Sequence, residues 1–174
     1  MIPEPRMIEE RDLASYAKVR ASMFDEVPCA FASSPYERMA SHPSAVAVWL
    51  KERQHDIIVI DHPARKGELA TIVGVRRESR RYLRHKAHAW GVYTIPELRG
   101  QGFGFKAMSA AIGLVRSWGG VSVLHVRVSG ESPQALDLYQ TLGFREWAHE
   151  NDCARIDGVS YPERRMVLRL DESD

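Results

Sequence analysis

Apolar positions along this chain follow two rhythms. Leu13, Tyr16, Ala17 and Met23–Phe24, with Arg20 on the same stripe, are three or four apart and predict a helix after the two early prolines. A short strand is predicted before it, at Arg6 to Ile8, and Asp12 is of a type that caps a helix. Pro28 breaks the helix. Cys29 to Ser34 reads as loop, Pro35 opens a short helix through Met39, and His42–Pro43–Ser44 is another break. Ala45 to Gln54 begins with strand-like alternation and ends like a helix; we read it as helix.

Beyond this point the rhythm changes. Asp56 to His62 and Glu68 to Glu78 are β-branched runs separated by Pro63, Lys66 and Gly67, which predicts a hairpin. His88 to Thr94 is a third strand. Period-two alternation places His88, Trp90, Val92 and Thr94 on one face. A helix over Lys106 to Gly120 has Met108, Ile112 and Val115 at helical spacing. Val121 to Val128 is a strand. Pro133 to Gly143 is a helix, with Ser129 or Ser132 as cap and Pro133 at the first position. Phe144 to Asn151 is a strand. A last one starts near Ala154 or spans Arg164 to Leu170, with a turn at Asp157–Gly158 and a frayed end at Asp171 to Asp174. The order is strand, helices, three strands, helix, strand, helix, two strands. That is a mixed α/β fold with helices on a twisted sheet, read as one domain over residues 1–174.

Composition narrows the function. A formal charge of +1 makes no case for a nucleic-acid partner. The one basic run, Arg76 to Lys86, reads first as a solvated connector and second as a mouth for an anionic cofactor or acidic acceptor. Two cysteines, Cys29 and Cys153, imply no disulfide framework and fit a reducing, cytoplasmic setting; a bridge between them is left open. No signal-like h-region and no membrane-length apolar run is seen. His85 and His88, Cys29 and Cys153 lack metal-ligand spacing, so no metal is expected.

The most informative segment is Thr94 to Gly104, TIPELRGQGFG, between a strand and a helix. Gly100, Gly102 and Gly104 let backbone approach a ligand, and the unbonded N–H groups of a helix start favour phosphate oxygens. Arg99 is placed to add a charge-assisted bond. A Walker A loop is excluded because Phe105–Lys106–Ala107 lacks Gly-Lys-Ser/Thr. The GxGxG spacing beyond mid-chain is also not a dinucleotide fingerprint.

Arg99-Gly100-Gln101-Gly102-Phe103-Gly104 resembles the pyrophosphate signature of the GNAT superfamily of N-acetyltransferases. Ala135 to Phe144, ALDLYQTLGF, resembles that family's late helix and the Gly-Phe after it. The resemblance runs from Asp56 to Leu170. It implies the acyl-CoA N-acyltransferase fold, with a mixed, mostly antiparallel sheet, and acetyl-CoA as co-substrate. Backbone N–H groups from Gln101 to Gly104, Phe103 included, would take the pyrophosphate. The strand Gly91, Val92, Tyr93, Thr94 would pair with pantetheine, with an N–H near Val92 or Tyr93 for the thioester oxygen. Tyr139 is the implied general acid. Ser132 stands where the family often has asparagine, near the pantetheine.

The base is open. No glutamate lies on His88 to Thr94, so His88, His125, Glu131 and a water chain are the candidates. Trp49, Trp90, Trp118 and Trp147 are read first as packing; Trp90 is the candidate for an acceptor wall, with Met23, Phe24 and Phe31 lining the acceptor side. The acceptor is an amine: an antibiotic, a polyamine, an amino acid or a protein N-terminus. Homodimerisation is common in the family. The rival reading is a coenzyme A-binding regulatory protein without turnover.

Overall fold

The β-branched runs form the centre of the molecule. In the computed structural model, which describes residues 1–26, 42–52, 55–129 and 132–170, DIIVID is strand β2 (Asp56–Asp61) and LATIVGVRR is strand β3 (Leu69–Arg77). They pair antiparallel, as the hairpin pattern predicts. Arg6–Met7 adds β1 at one edge. Lys86–Thr94 is β4, Val123–Ser129 is β5, Arg145–Ile156 is β6 and Val159–Arg169 is β7. The seven strands form one sheet in the order β1-β2-β3-β4-β5-β7-β6. Every neighbouring pair is antiparallel except β4 and β5.

Among the described residues four α-helices accompany the sheet: α1 (Leu13–Glu26), α2 (Pro43–Glu52), α3 (Phe103–Ser117) and α4 (Pro133–Thr141). The expected helix over Ala45 to Gln54 is thus present and starts two residues earlier, at Pro43; Arg53 and Gln54 lie outside the described residues. Pro133 opens α4, with Ser132 at the N-cap position but no side-chain cap bond. The short helix expected at Pro35–Met39 and the tail Asp171–Asp174 lie outside the described residues. Asp12 does not cap α1. It ends the 3-10 turn Glu10–Asp12, where its carboxylate accepts the Glu9 N–H at 2.8 Å and both Arg6 Nη groups. α3 begins at Phe103 rather than Lys106, because the glycine turn itself supplies its first residues. The last two strands are one long hairpin closed by Asp157, at φ 50°, and Gly158. The polar run NDCARI hid the end of β6, because an edge strand need not bury either face.

Register assigns the faces. Ile58, Ile60, Thr71, Val73, Val75, Ala87 and Ala89 share the face covered by α3, together with Leu124, Val126 and Met166. Ala107, Met108, Ala111, Ile112 and Val115 of α3 are buried in the same core. The opposite face meets α1. There Leu69 N–H donates to Ser15 Oγ at 2.9 Å, and Tyr16, Val19 and Met23 are buried.

β4 departs from simple alternation. Gly74 pairs with Trp90 and Ile72 with Tyr93, so three steps on β4 match two on β3. The extra residue is accommodated where Gly91 has φ 57°, a left-handed conformation that glycine adopts without steric cost. The expected shared face of His88, Trp90, Val92 and Thr94 is therefore corrected. His88, Trp90 and Tyr93 face α1, whereas Thr94, opposite Thr71, turns to the α3 face with Val92.

Gly74 makes room for the Trp90 ring: a Cβ there would come within 2.2–2.5 Å of three ring atoms. Gly74→Ala must displace the indole and should cost about 1–3 kcal/mol, the range for overpacking a core. Chemical denaturation measures it, and an unchanged midpoint would show that Trp90 is not held by this contact.

Candidate active site

The strand pair β4–β5 carries the geometry. Its ladder covers Lys86–His88 against Val123–His125 and goes no further, so the two strands part beyond the His88/His125 pair. Parallel neighbours with a registered start and no registered continuation leave a gap that opens toward Thr94.

At the open end, β4 runs into the glycine turn. Gly100 (φ 69°) and Gly102 (φ 88°) are left-handed, and Gly102 is the N-cap of α3. The first helical bond is Lys106 N–H to Gly102 O, at 3.0 Å. The N–H groups of Phe103, Gly104 and Phe105 therefore precede the helical ladder and point out of the helix start. A Cβ on Gly104 would lie 3.4 Å from Leu138 Cδ2 and 3.7 Å from Thr94 Oγ1. A Cβ there would touch both at ordinary van der Waals distance, so the turn, the end of β4 and helix α4 converge at Gly104. A backbone cradle of this kind, at the positive end of a helix and at the mouth of a strand gap, fits a pyrophosphate and an extended chain behind it.

At the closed end His88 and His125 stack, with ring centroids 5.4 Å apart. Both project to the α1 face. His88 Nε2 is 3.1 Å from Glu78 Oε1, off the line of a directed hydrogen bond. Burial, the Arg76 guanidinium and His125 pull the His88 pKa down to about 4, against the opposing pull of Glu78. Burial, Lys86 and His85 lower that of His125 as well. Both imidazoles are neutral at neutral pH. Trp147, 56% exposed, stands edge-on to His125 at 5.9 Å.

The other expected residues are distributed as follows. Tyr139 is buried on α4, edge-on to Phe144 at 5.5 Å. Trp90 is buried in a polar core beneath α1, with His55 edge-on at 5.6 Å and the Arg20 guanidinium 5.7 Å from its ring. Phe24 lies under the same guanidinium, at 5.0 Å. Arg99 is engaged away from the helix start. Its Nη1 and Nη2 donate to Glu26 at 2.5 and 2.7 Å, and its Nε donates to Thr94 O at 2.9 Å. Phe31, Glu131 and Cys29 lie outside the described residues.

Several participants escaped the sequence reading. Glu26, Glu78 and His55 gave no local signal. Arg20 did, as a charge on an apolar stripe, and it is fully buried. The basic run is the connector between β3 and β4. Its last residue, Lys86, opens β4, and the length of that strand, about 27 Å, separates it from the glycine turn at Thr94, so it does not form a cofactor mouth. Glu150, Cys153 and Glu163 converge within 4.8 Å, a grouping their spacing did not show. Arg165 binds both carboxylates, at 2.9 and 3.3 Å, and burial with the two acids pushes the thiol pKa up. No described helix is long and apolar enough to cross a membrane.

The histidine environment has a stability signature. The unfolded chain protonates His88 near pH 6.5, whereas the folded chain resists down to about 4, so unfolding takes up a proton in that window. Stability should be level above pH 6.5 from this source and fall as the pH drops toward 4. His88→Asn should flatten that slope in thermal unfolding followed against pH; an identical slope would show that another group sets it.

Comparison with known proteins agrees with the geometry. A search of curated proteins returned no match. Among solved structures, a GNAT superfamily phosphinothricin acetyltransferase from Sinorhizobium meliloti, in complex with acetyl-CoA, is similar with a TM-score of 0.80 at 19% identity, over 98% of this chain and 89% of that one. The Salmonella typhimurium protein yncA, solved with its cofactor acetyl-CoA, superposes with a TM-score of 0.82 at 20% identity, over 100% and 96%. A ribosomal-protein-alanine N-acetyltransferase from Brucella melitensis gives 0.78 at 17%, over 95% and 98%. At these identities the likeness is one of fold. The model of the acetyltransferase (GNAT) family matches residues 21–144, so this chain belongs to the GNAT acetyltransferase family.

Proposed function

We propose that this protein transfers an acetyl group from acetyl-CoA to a primary amine of a small molecule or peptide, by direct attack in a ternary complex. The observation that carries the reading is the β4–β5 gap, bounded at one end by the glycine turn and at the other by the stacked histidines. Acetyl-CoA supplies the acetyl group as a thioester, a carbonyl already activated toward amines.

The chain's own residues do the rest. Backbone N–H groups from Gln101 to Gly104 hold the pyrophosphate, and Gly91 to Thr94 of β4, with Ser132 nearby, hold the pantetheine arm. An N–H near Val92 or Tyr93 is directed at the thioester oxygen, where charge develops during attack. His88 and His125 are the base candidates, and because burial makes His88 a weak proton acceptor, the amine's proton passes by way of the imidazoles to water rather than resting on them. The Tyr139 hydroxyl is the proton source for the departing sulfur, since a phenol stays protonated at neutral pH. Trp90 shapes this end from within the core, behind His88, rather than as an open wall. Phe24 and Phe31 belong to the acceptor side.

The first experiment is an acceptor screen with acetyl-CoA, read by free-thiol release and product mass. The panel covers amino acids including phosphinothricin, polyamines, aminoglycoside-type amines and peptides with an N-terminal alanine. An amine product 42 Da heavier, the mass of an added acetyl less the proton it replaces, is expected. Coenzyme A binding without thiol release across the panel would favour a binding protein over an enzyme. Once an acceptor is in hand, Tyr139→Phe should lower turnover by about a hundredfold, within the range of general-acid catalysis, with little change in acetyl-CoA affinity. Undiminished turnover would remove Tyr139 from the mechanism.

A further inference from the structure

We infer that Arg99 is a positioning residue, which fastens α1 to the cofactor turn through Glu26, and that its guanidinium is not an anion ligand. The inference rests on the proposal that the glycine turn receives coenzyme A.

The geometry leaves the guanidinium committed. Both Nη groups meet the two oxygens of one carboxylate, at 2.5 and 2.7 Å, and Nε caps the end of β4 at Thr94 O. The plane also lies 5.1 Å from the Tyr93 ring. Tyr93 closes the group by donating its hydroxyl to Glu26 Oε2 at 2.7 Å. Paired bonds of this fork type are among the strongest that arginine makes, and they fix direction as well as charge. The Arg99 pair and the Tyr93 hydroxyl hold the Glu26 carboxyl down at about 2, so the pair stays ionised throughout the neutral range. A phosphate drawing Arg99 away would have to break two charge-assisted bonds, release Nε from Thr94 and leave the carboxylate without its cation. The N–H groups of the helix start offer phosphate a site without that cost.

Position gives the pair its role. Arg99 opens the glycine turn, and Glu26 is the last described residue of α1, 73 positions earlier. α1 covers the sheet face on which His88, Trp90 and Tyr93 lie. One ion pair therefore ties the cofactor turn to the helix on the acceptor side, and the strand residue between them, Tyr93, is bonded into it. Occupancy of the turn and placement of α1 are coupled through this contact.

The test is a double-mutant cycle on the full chain, with acetyl-CoA binding measured by titration calorimetry. Glu26→Gln and Arg99→Gln should weaken binding by the same factor, roughly three- to tenfold, the size of one such coupling, and the double variant should be no weaker than either. Arg99→Lys, which keeps the charge and loses the fork, should behave like Arg99→Gln. A phosphate ligand predicts different signs: Glu26→Gln frees the cation and tightens binding, while Arg99→Lys retains affinity. Either result overturns the inference, as do multiplied losses in the double variant or no change in the single ones. Should Arg99→Gln fail to fold, the sign for Glu26→Gln and the behaviour of Arg99→Lys decide. If the wild type binds no coenzyme A, the reading of the turn fails by itself. The pair is then judged by unfolding midpoints, where additive shifts would refute it.

Discussion

The three-pair parallel ladder between β4 and β5 is the contact on which the rest of the arrangement depends. A parallel pair needs a long crossover, and α3 is that crossover. It leaves the end of β4 through the glycine turn and returns to the start of β5. The same connection that makes the strands parallel therefore sets a helix N-terminus at the place where they part. Gly91 contributes the local term. Its left-handed backbone adds a residue to β4 and turns the strand's last side chains over, so that Tyr93 reaches α1 and Thr94 reaches Gly104.

The two faces of the sheet solve different problems. The α3 face is mostly aliphatic, and its buried Thr71 hydroxyl is matched by that of Thr94 at 3.1 Å. The α1 face buries Arg20, His55 and Glu78. Buried polar groups are costly unless neighbours compensate them. Here the compensation is visible in part: Arg20 lies over Phe24 and Trp90, and Glu78 faces Arg76, Arg80 and His88. Burial, with the cations nearby, lowers the pKa values of His55 and His88 on that side.

Much of this was legible in the sequence. The β2–β3 hairpin, the glycine turn and the Pro133 start of α4 rest on local signals: β-branched runs, glycines, a proline at a helix start. Two local signals misled. Strict alternation on β4 fails at one glycine, and the charged residues of β6 conceal an edge strand of 12 residues. The site was legible where it depends on backbone and illegible where it depends on meetings between distant side chains. The Glu26–Arg99 pair, the His88–His125 stack and the His88–Glu78 contact bring together residues that no helical or strand period relates. The polar core around Trp90 was half legible, since Arg20 stood on an apolar stripe without any sign of what it faced.

The short ladder also has a mechanical meaning. β1 to β4 form one plate of antiparallel strands, and β5, β7 and β6 form another. Three residue pairs are all that the backbone offers as a seam between them, and the paired imidazoles sit on that seam. Cohesion across the seam therefore rests more on side chains than on backbone, and the stacked imidazoles are one of the contacts that bridge the two plates.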